Sequence, residues 1–257
     1  MKNLLSYLGV ALLFVLVVHL SACKNEIEDI DVGAYLSYFP MDTGYWVIYD
    51  IDSTIYSKFI ENGRTTRHCQ LKEVYTDFFT DNEGRPAVRI ERYVRYDTAT
   101  DWADIIPNVW YAVRDSQRAE RVEGDLRFMK LVFPMYPDRT WAGNAYLDTG
   151  DPDLSVYADW QYKYETVDAP YQLADTTLNG QLFSHAFDST TAVLQQDNSN
   201  LVDKVYSREV YARHVGMVYK EQWVLNLGGK DITIPETWPD RAERGYVAIF
   251  KVLDWKH

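Results

Sequence analysis

Between residues 87 and 96 apolar and polar side chains alternate: Val88, Ile90, Val94 and Tyr96 face one way, Arg89, Glu91 and Arg95 the other. A period of two marks a half-buried strand, and Asp81-Asn82-Glu83-Gly84-Arg85-Pro86 places a turn just before it. Comparable strand-length runs occupy 45–58, 65–79, 108–115, 126–133, 157–167, 181–187, 204–214, 217–227 and 246–254. Glu61-Asn62-Gly63, Glu123-Gly124-Asp125, Asn179-Gly180 and Leu227-Gly228-Gly229 punctuate them. Many strands at even spacing, with little helix between, predict a mainly β fold, an antiparallel sandwich or open barrel. No Pro/Ser-rich linker interrupts the run, so a single domain is expected over 37–257, with 144–155 as its longest loop.

The stretch 200–216 carries helix-like ends, Asn200 and Gly216, but its Val-Tyr-Ser-Arg-Glu-Val-Tyr is β-branched and aromatic. A hairpin turning at Val215-Gly216 fits better. Pairing His214 with Met217 sets Arg208 opposite Trp223 and diagonal to Glu221. Met217, Tyr219, Glu221, Trp223, Leu225 and Leu227 then share one apolar face. Arg208 and Glu221 are therefore expected to form a structural ion pair, since a carboxylate on an apolar face needs a partner.

The amino-terminal pattern is different. Lys2 precedes an apolar segment from Leu4 to Leu20, the layout of a secretory signal peptide. Leu20-Ser21-Ala22-Cys23 closes it and resembles the lipobox of bacterial lipoproteins. The resemblance implies removal of residues 1–22, a diacylglycerol on the Cys23 thiol and acylation of the new amino group, including palmitate. Lys24 to Asp31 follows, with Glu26, Glu28, Asp29 and Asp31 and no periodic apolar face. It reads as a solvated acidic tether over 23–36. This run also resembles the signal that sends some Gram-negative lipoproteins to the cell surface. An outer-membrane location, facing either the surface or the periplasm, is expected.

Processing would leave 235 of the 257 residues with 25 basic and 38 acidic side chains, a net charge of −13 against −12 for the whole chain. Such a body repels phosphate backbones, so no nucleic-acid partner is expected; the membrane is met through the lipid on Cys23. Cys69 is then the remaining thiol, which excludes an intramolecular disulfide, and its strand-like setting suits a small core hydrophobe. Twenty Tyr, eight Trp and ten Phe favour pleated surfaces.

Phe39-Pro40-Met41 before Trp46 is echoed by Phe133-Pro134-Met135 before Trp141. Either a duplication started two sheets or one local solution was used twice. The stretch from Tyr38 to Tyr49 resembles the opening of the mature domain in many uncharacterised β-rich Gram-negative envelope lipoproteins, and Tyr211 to Glu221 resembles their closing hairpin. That likeness implies a lipid-anchored β domain and transfers no active-site residue.

Catalytic templates fail on their own spacing. Asp42-Thr43-Gly44 and Asp148-Thr149-Gly150 lack the flanks of pepsin-like aspartic proteases. His68, His185, His214 and His257 form no His-Glu-x-x-His, and no two-cysteine metal spacing, Gly-x-Ser-x-Gly or phosphate-cradling loop occurs. Asp148, Asp151 and Asp153 lack the EF-hand order. Neither metal nor cofactor is expected. What remains is a non-enzymatic envelope lipoprotein that binds a ligand or partner, a protein or a glycan, with Trp102 and Trp238 as candidate contact aromatics in polar loops. The rival is a glycan hydrolase with a carboxylate pair.

Overall fold

A computed structural model describes residues 32–96, 101–102, 110–178, 181–229 and 237–256. The leader, Cys23 and the acidic run to Asp31 lie outside them, as does His257. The structure resolves the choice between sandwich and barrel: twelve antiparallel strands form one sheet that curls into a nearly closed barrel.

The chain first makes six consecutive meander strands, β1 (Trp46–Tyr56), β2 (Arg64–Thr80), β3 (Pro86–Arg95), β4 (Trp110–Arg114), β5 (Arg118–Glu123) and β6 (Leu126–Val132). Six more follow in the same sheet: β7 (Thr140–Trp141), β8 (Tyr162–Gln172), β11 (Ala186–Ser199), β12 (Asp203–Ala212), β13 (Gly216–Asn226) and β14 (Arg244–Lys256). A separate ribbon, β9 (Thr176–Leu178) with β10 (Gln181–Phe183), leaves between β8 and β11. Each Phe-Pro-Met copy thus stands before one run of six. The last strand pairs with the first, from Trp46↔Lys256 to Tyr56↔Gly245.

Expectation and structure part in several places. The sequence runs omit β5, most of β11, β7 and β9. The run at 157–167 is in fact the end of a 3₁₀ turn over Pro152–Tyr157, started by the Asp151 side chain on the Asp153 N–H, and then β8. The hairpin at 200–216 is present, but its loop is Arg213-His214-Val215, with Ala212 opposite Gly216. At the end of the stretch expected to be a tether, Val32–Leu36 is a helical turn, α1. Tyr35 and Leu36 pack on the core, and Tyr35 stacks on Phe133 at 6.4 Å.

Residues 32–45 plug one end of the barrel, beside the β12–β13 hairpin. Tyr38, Phe39, Met41 and Tyr45 are buried there. The Tyr45 hydroxyl donates to the Val215 carbonyl, and His214 N–H donates to the Ser37 carbonyl at 2.8 Å. Arg114 donates to the Leu36 and Phe39 carbonyls at 2.5 and 2.7 Å, fixing the plug to β4. The core continues up the lumen through Leu71, Ile90, Leu131, Tyr162, Tyr164 and Tyr211. Burying side chains of this size contributes about 1.5–3 kcal/mol each.

Between β6 and β7–β8 the sheet has a seam, which side chains and loop backbone stitch. Met129 N–H reaches the Gly143 carbonyl at 2.8 Å, and Trp141 Nε1–H reaches the Met129 carbonyl at 2.8 Å. The Tyr164 hydroxyl accepts from Val132 N–H at 2.9 Å and donates to its carbonyl at 2.8 Å. Gly143 passes against the Tyr162 ring so closely that any Cβ would collide with it.

Candidate functional site

The end of the barrel away from the plug is open. Inward positions alternate along each strand, so β13 sends Lys220, Gln222, Val224 and Asn226 into the lumen, opposite Phe250, Ala248, Tyr246 and Arg244 of β14. The outermost of these form a cleft of about 550 Å³ with Gln196 and Asn198 of β11, Asp203 and Val205 of β12, and the 155–160 loop carrying Trp160. A volume of 300–1,000 Å³ is typical of small-molecule sites. Amides, one carboxylate and one guanidinium stand around an aliphatic wall of Val205 and Val224. Asp203 already accepts from Asn226 Nδ2 at 2.6 Å and Asn200 Nδ2 at 3.0 Å. Among the described residues the Asn198 and Arg244 side chains form no hydrogen bond or ion pair, and both are exposed.

About 13 Å deeper, four residues along β13, the lumen becomes ionic. Glu73, Arg92, Arg121, Glu123, Lys130, Glu209 and Lys220 surround a small cavity of about 50 Å³ with Tyr49, Trp110, Tyr211 and Phe250. Arg121 meets Glu73 at 2.5 Å. Lys130 bridges Glu123 and Glu209, both at 3.1 Å, and Lys220 meets Glu209 at 3.2 Å. The Tyr211 hydroxyl donates to Glu209 at 2.6 Å. Burial drives the Glu209 carboxyl upward, but Lys130, Lys220 and the Tyr211 bond outweigh it and bring it down to about 2. Glu123 is likewise lowered: burial opposes, and Lys130, Lys220 and Arg121 prevail. These carboxylates are held ionised and paired. This layer comes from six strands of both halves, so only the inner face of the sheet can assemble it. It has no local spacing in the sequence. The available signal is phase: Glu73 shares its face with the buried Leu71 and Tyr75.

The residues singled out from sequence are not gathered here. Cys23 lies outside the described residues. Arg208 and Glu221 face each other in register, one strand apart, yet do not form the expected ion pair. Arg208 instead meets Glu165 of β8 at 2.6 Å. Glu221 accepts from the Tyr219 hydroxyl and Trp223 Nε1–H, both at 2.9 Å. A three-residue loop and a bulge between Val210 and Tyr211 together set the pairing two residues from the expected register, and on this face, which lies outside the barrel, each side chain is taken by another partner. Trp223 and Leu225 are roofed there by the turn α2 (Trp238–Arg241), whose Trp238 packs on Tyr56, Leu225, Ala242 and Val247. Trp238 is therefore half-buried packing. Trp102 lies over the Arg95 guanidinium at 4.2 Å.

The other sequence features are local. Asp148 and Asp151 spend carboxylate oxygens on the N–H groups of Gly150 and Asp153. Cys69 packs against the core from β2, and burial raises its thiol pKa. Among the described residues no helix is long and apolar enough to cross a membrane.

No protein-family model matches the chain, and no curated protein matches it in sequence. Solved structures do. One is a Bacteroides fragilis protein provisionally described as exported, with a YMCC-like fold. It is 12% identical over 85% of this chain and 98% of that one, at a TM-score of 0.38. Another, provisionally a lipoprotein of Parabacteroides distasonis, is 9% identical over 85% and 98%, at 0.36. A third, provisionally an outer membrane lipoprotein-sorting protein domain of Vibrio parahaemolyticus, is 12% identical over 88% and 91%, at 0.19.

Proposed function

We propose that this chain is a lipid-anchored protein of the cell envelope whose barrel binds a short glycan in its open end, without chemistry on it. The observation that carries the binding reading is the cleft of about 550 Å³. Amide side chains both donate and accept, which suits hydroxyl-rich ligands. The aliphatic wall and Trp160 offer a surface for the apolar face of a sugar ring.

Hydrolysis is the less supported reading. A glycosidase pair needs one carboxyl of raised pKa beside a second carboxylate. The cleft offers Asp203, occupied by two amides, and deeper in the lumen Glu123 and Glu209 are held ionised. The anchoring reading rests on Leu20-Ser21-Ala22-Cys23. Several acyl chains on one residue give stable attachment where a single chain is marginal.

Two measurements test this. Titration of short glycans against Trp fluorescence is expected to saturate, and Arg244→Ala and Asn198→Ala each to weaken binding about tenfold, the loss of one charged or bidentate contact of about 1.4 kcal/mol. Unchanged affinity in both variants would remove the cleft from the reading. Separately, Cys23→Ala is expected to abolish acyl labelling and release the protein from membranes or leave the precursor uncleaved. Fractionation with the parent, label intact, would sink the anchor.

A further inference from the structure

On the outer face of β1 and β2, away from the cleft, Asp50, Asp52 and His68 converge. Asp50 and Asp52 are two residues apart on one strand and so share a face; His68 is the direct neighbour of Asp52 on the next. One ligand atom from each lies within 4.8 Å of the others. His68 Nδ1 is 3.1 Å from Asp52 Oδ1. Its other nitrogen, Nε2, is 3.0 Å from Asp50 Oδ1. The Asp50 side chain is 4% exposed, and its Oδ1 is buried without a hydrogen-bond partner, so the imidazole stands beside it without donating to it.

That arrangement leaves two electron-pair donors facing each other. With Nδ1–H given to Asp52, a neutral imidazole presents a lone pair at Nε2, against an unpartnered carboxylate oxygen. A separation of 3.0 Å is the edge spanned by two bonds of about 2.0–2.1 Å meeting at a right angle or slightly more, the bond lengths of nitrogen and carboxylate ligands on zinc. A ligating histidine ordinarily donates its second ring N–H to a carboxylate, which fixes tautomer and orientation; Asp52 stands where that partner belongs. We propose that Asp50 Oδ1 and His68 Nε2 ligate a divalent transition-metal ion of the Zn²⁺ class, with Asp52 orienting the histidine and water completing the shell. Site and cleft lie on opposite faces of the sheet, so this inference is independent of the glycan reading.

The experiment uses the processed full chain in detergent, with Cys69→Ser as background to remove the free thiol, and Zn²⁺ as the probe in calorimetric titration. Saturable uptake of one ion per chain is expected, abolished by His68→Ala and weakened about 10–100-fold by Asp52→Asn. Circular dichroism of each variant checks that the strands are retained. Uptake that survives His68→Ala, or no saturable uptake, overturns the proposal. So does ¹⁵N NMR at neutral pH showing both His68 ring nitrogens protonated in the presence of Zn²⁺, since a proton would then occupy the metal's place.

Discussion

Glu209→Gln is expected to lower the unfolding free energy by about 3–5 kcal/mol, the range for breaking a buried ion pair from one side. Glu209 is about 1% exposed and is the shared partner of Lys130, Lys220 and the Tyr211 hydroxyl. The amide cannot neutralise two ammonium groups inside the barrel, so both remain desolvated and undercompensated. Replacing the four linked charges together, Glu123→Leu and Glu209→Leu with Lys130→Met and Lys220→Met, is expected to recover most of the loss, because Glu123 shares Lys130 and an apolar set of similar volume leaves none of the four to desolvate. Equilibrium denaturation at neutral pH reads both; an unchanged midpoint in the single variant would show that the lumen is wet.

The same group fixes the sign of the acid response. The folded pKa of Glu209 is about 2, below its unfolded value of about 4.3, and that of Glu123 is lowered in the same direction. The unfolded chain therefore takes up protons first. The stabilisation is complete above about pH 4.5 and is lost as pH falls through the folded values toward 2. The parent should weaken steeply over that window, and Glu209→Gln less steeply.

Tyr164→Phe is the second large effect, expected to cost about 1–3 kcal/mol by leaving buried backbone groups unsatisfied. The change keeps the ring, which packs on Trp141 with centroids 4.6 Å apart, and removes the hydroxyl that serves both Val132 N–H and Val132 C=O across the seam. No ladder continues there to take over. Hydrogen exchange should accelerate at Val132 and Met129 before it changes in the β1–β14 ladder; uniform acceleration would mean that the seam is no weaker than the rest.

The strands that were readable from sequence are those in which phase and composition agree. β1, β3 and β13 alternate and are rich in Val, Ile and aromatics. β5 is Arg-Ala-Glu-Arg-Val-Glu, and charge on both faces hides its period. Glu120 is buried outside among Arg85 and Arg118 while Arg121 is buried inside. β11 loses its phase to bulges near Phe187, Thr190 and Leu194. The β12–β13 hairpin was legible, but its partners were not, because a bulge and a three-residue loop shift register without changing parity. The apolar face of β13 does not say by itself which side of the sheet it takes. It is the outer side, since the lumen at that level holds Lys220, Gln222 and Asn226 and α2 covers the outside. The cleft and the ionic layer were invisible for a further reason. Their residues are brought together by closure of the sheet and share no segment.

The pairing of Trp46–Tyr56 with Arg244–Lys256 makes ring closure wait for the last strand of the sheet. Every other ladder joins strands close in sequence and can zip as a meander; this one waits for the thirteen residues of β14. A chain threaded through a membrane from its amino terminus would carry β1 with a bare hydrogen-bonding edge until β14 has crossed. Contacts of such long range fold slowly and leave strand edges open to aggregation, so an escort that shields β1 during export would act on this protein more than on one whose first strand finds its mate at once.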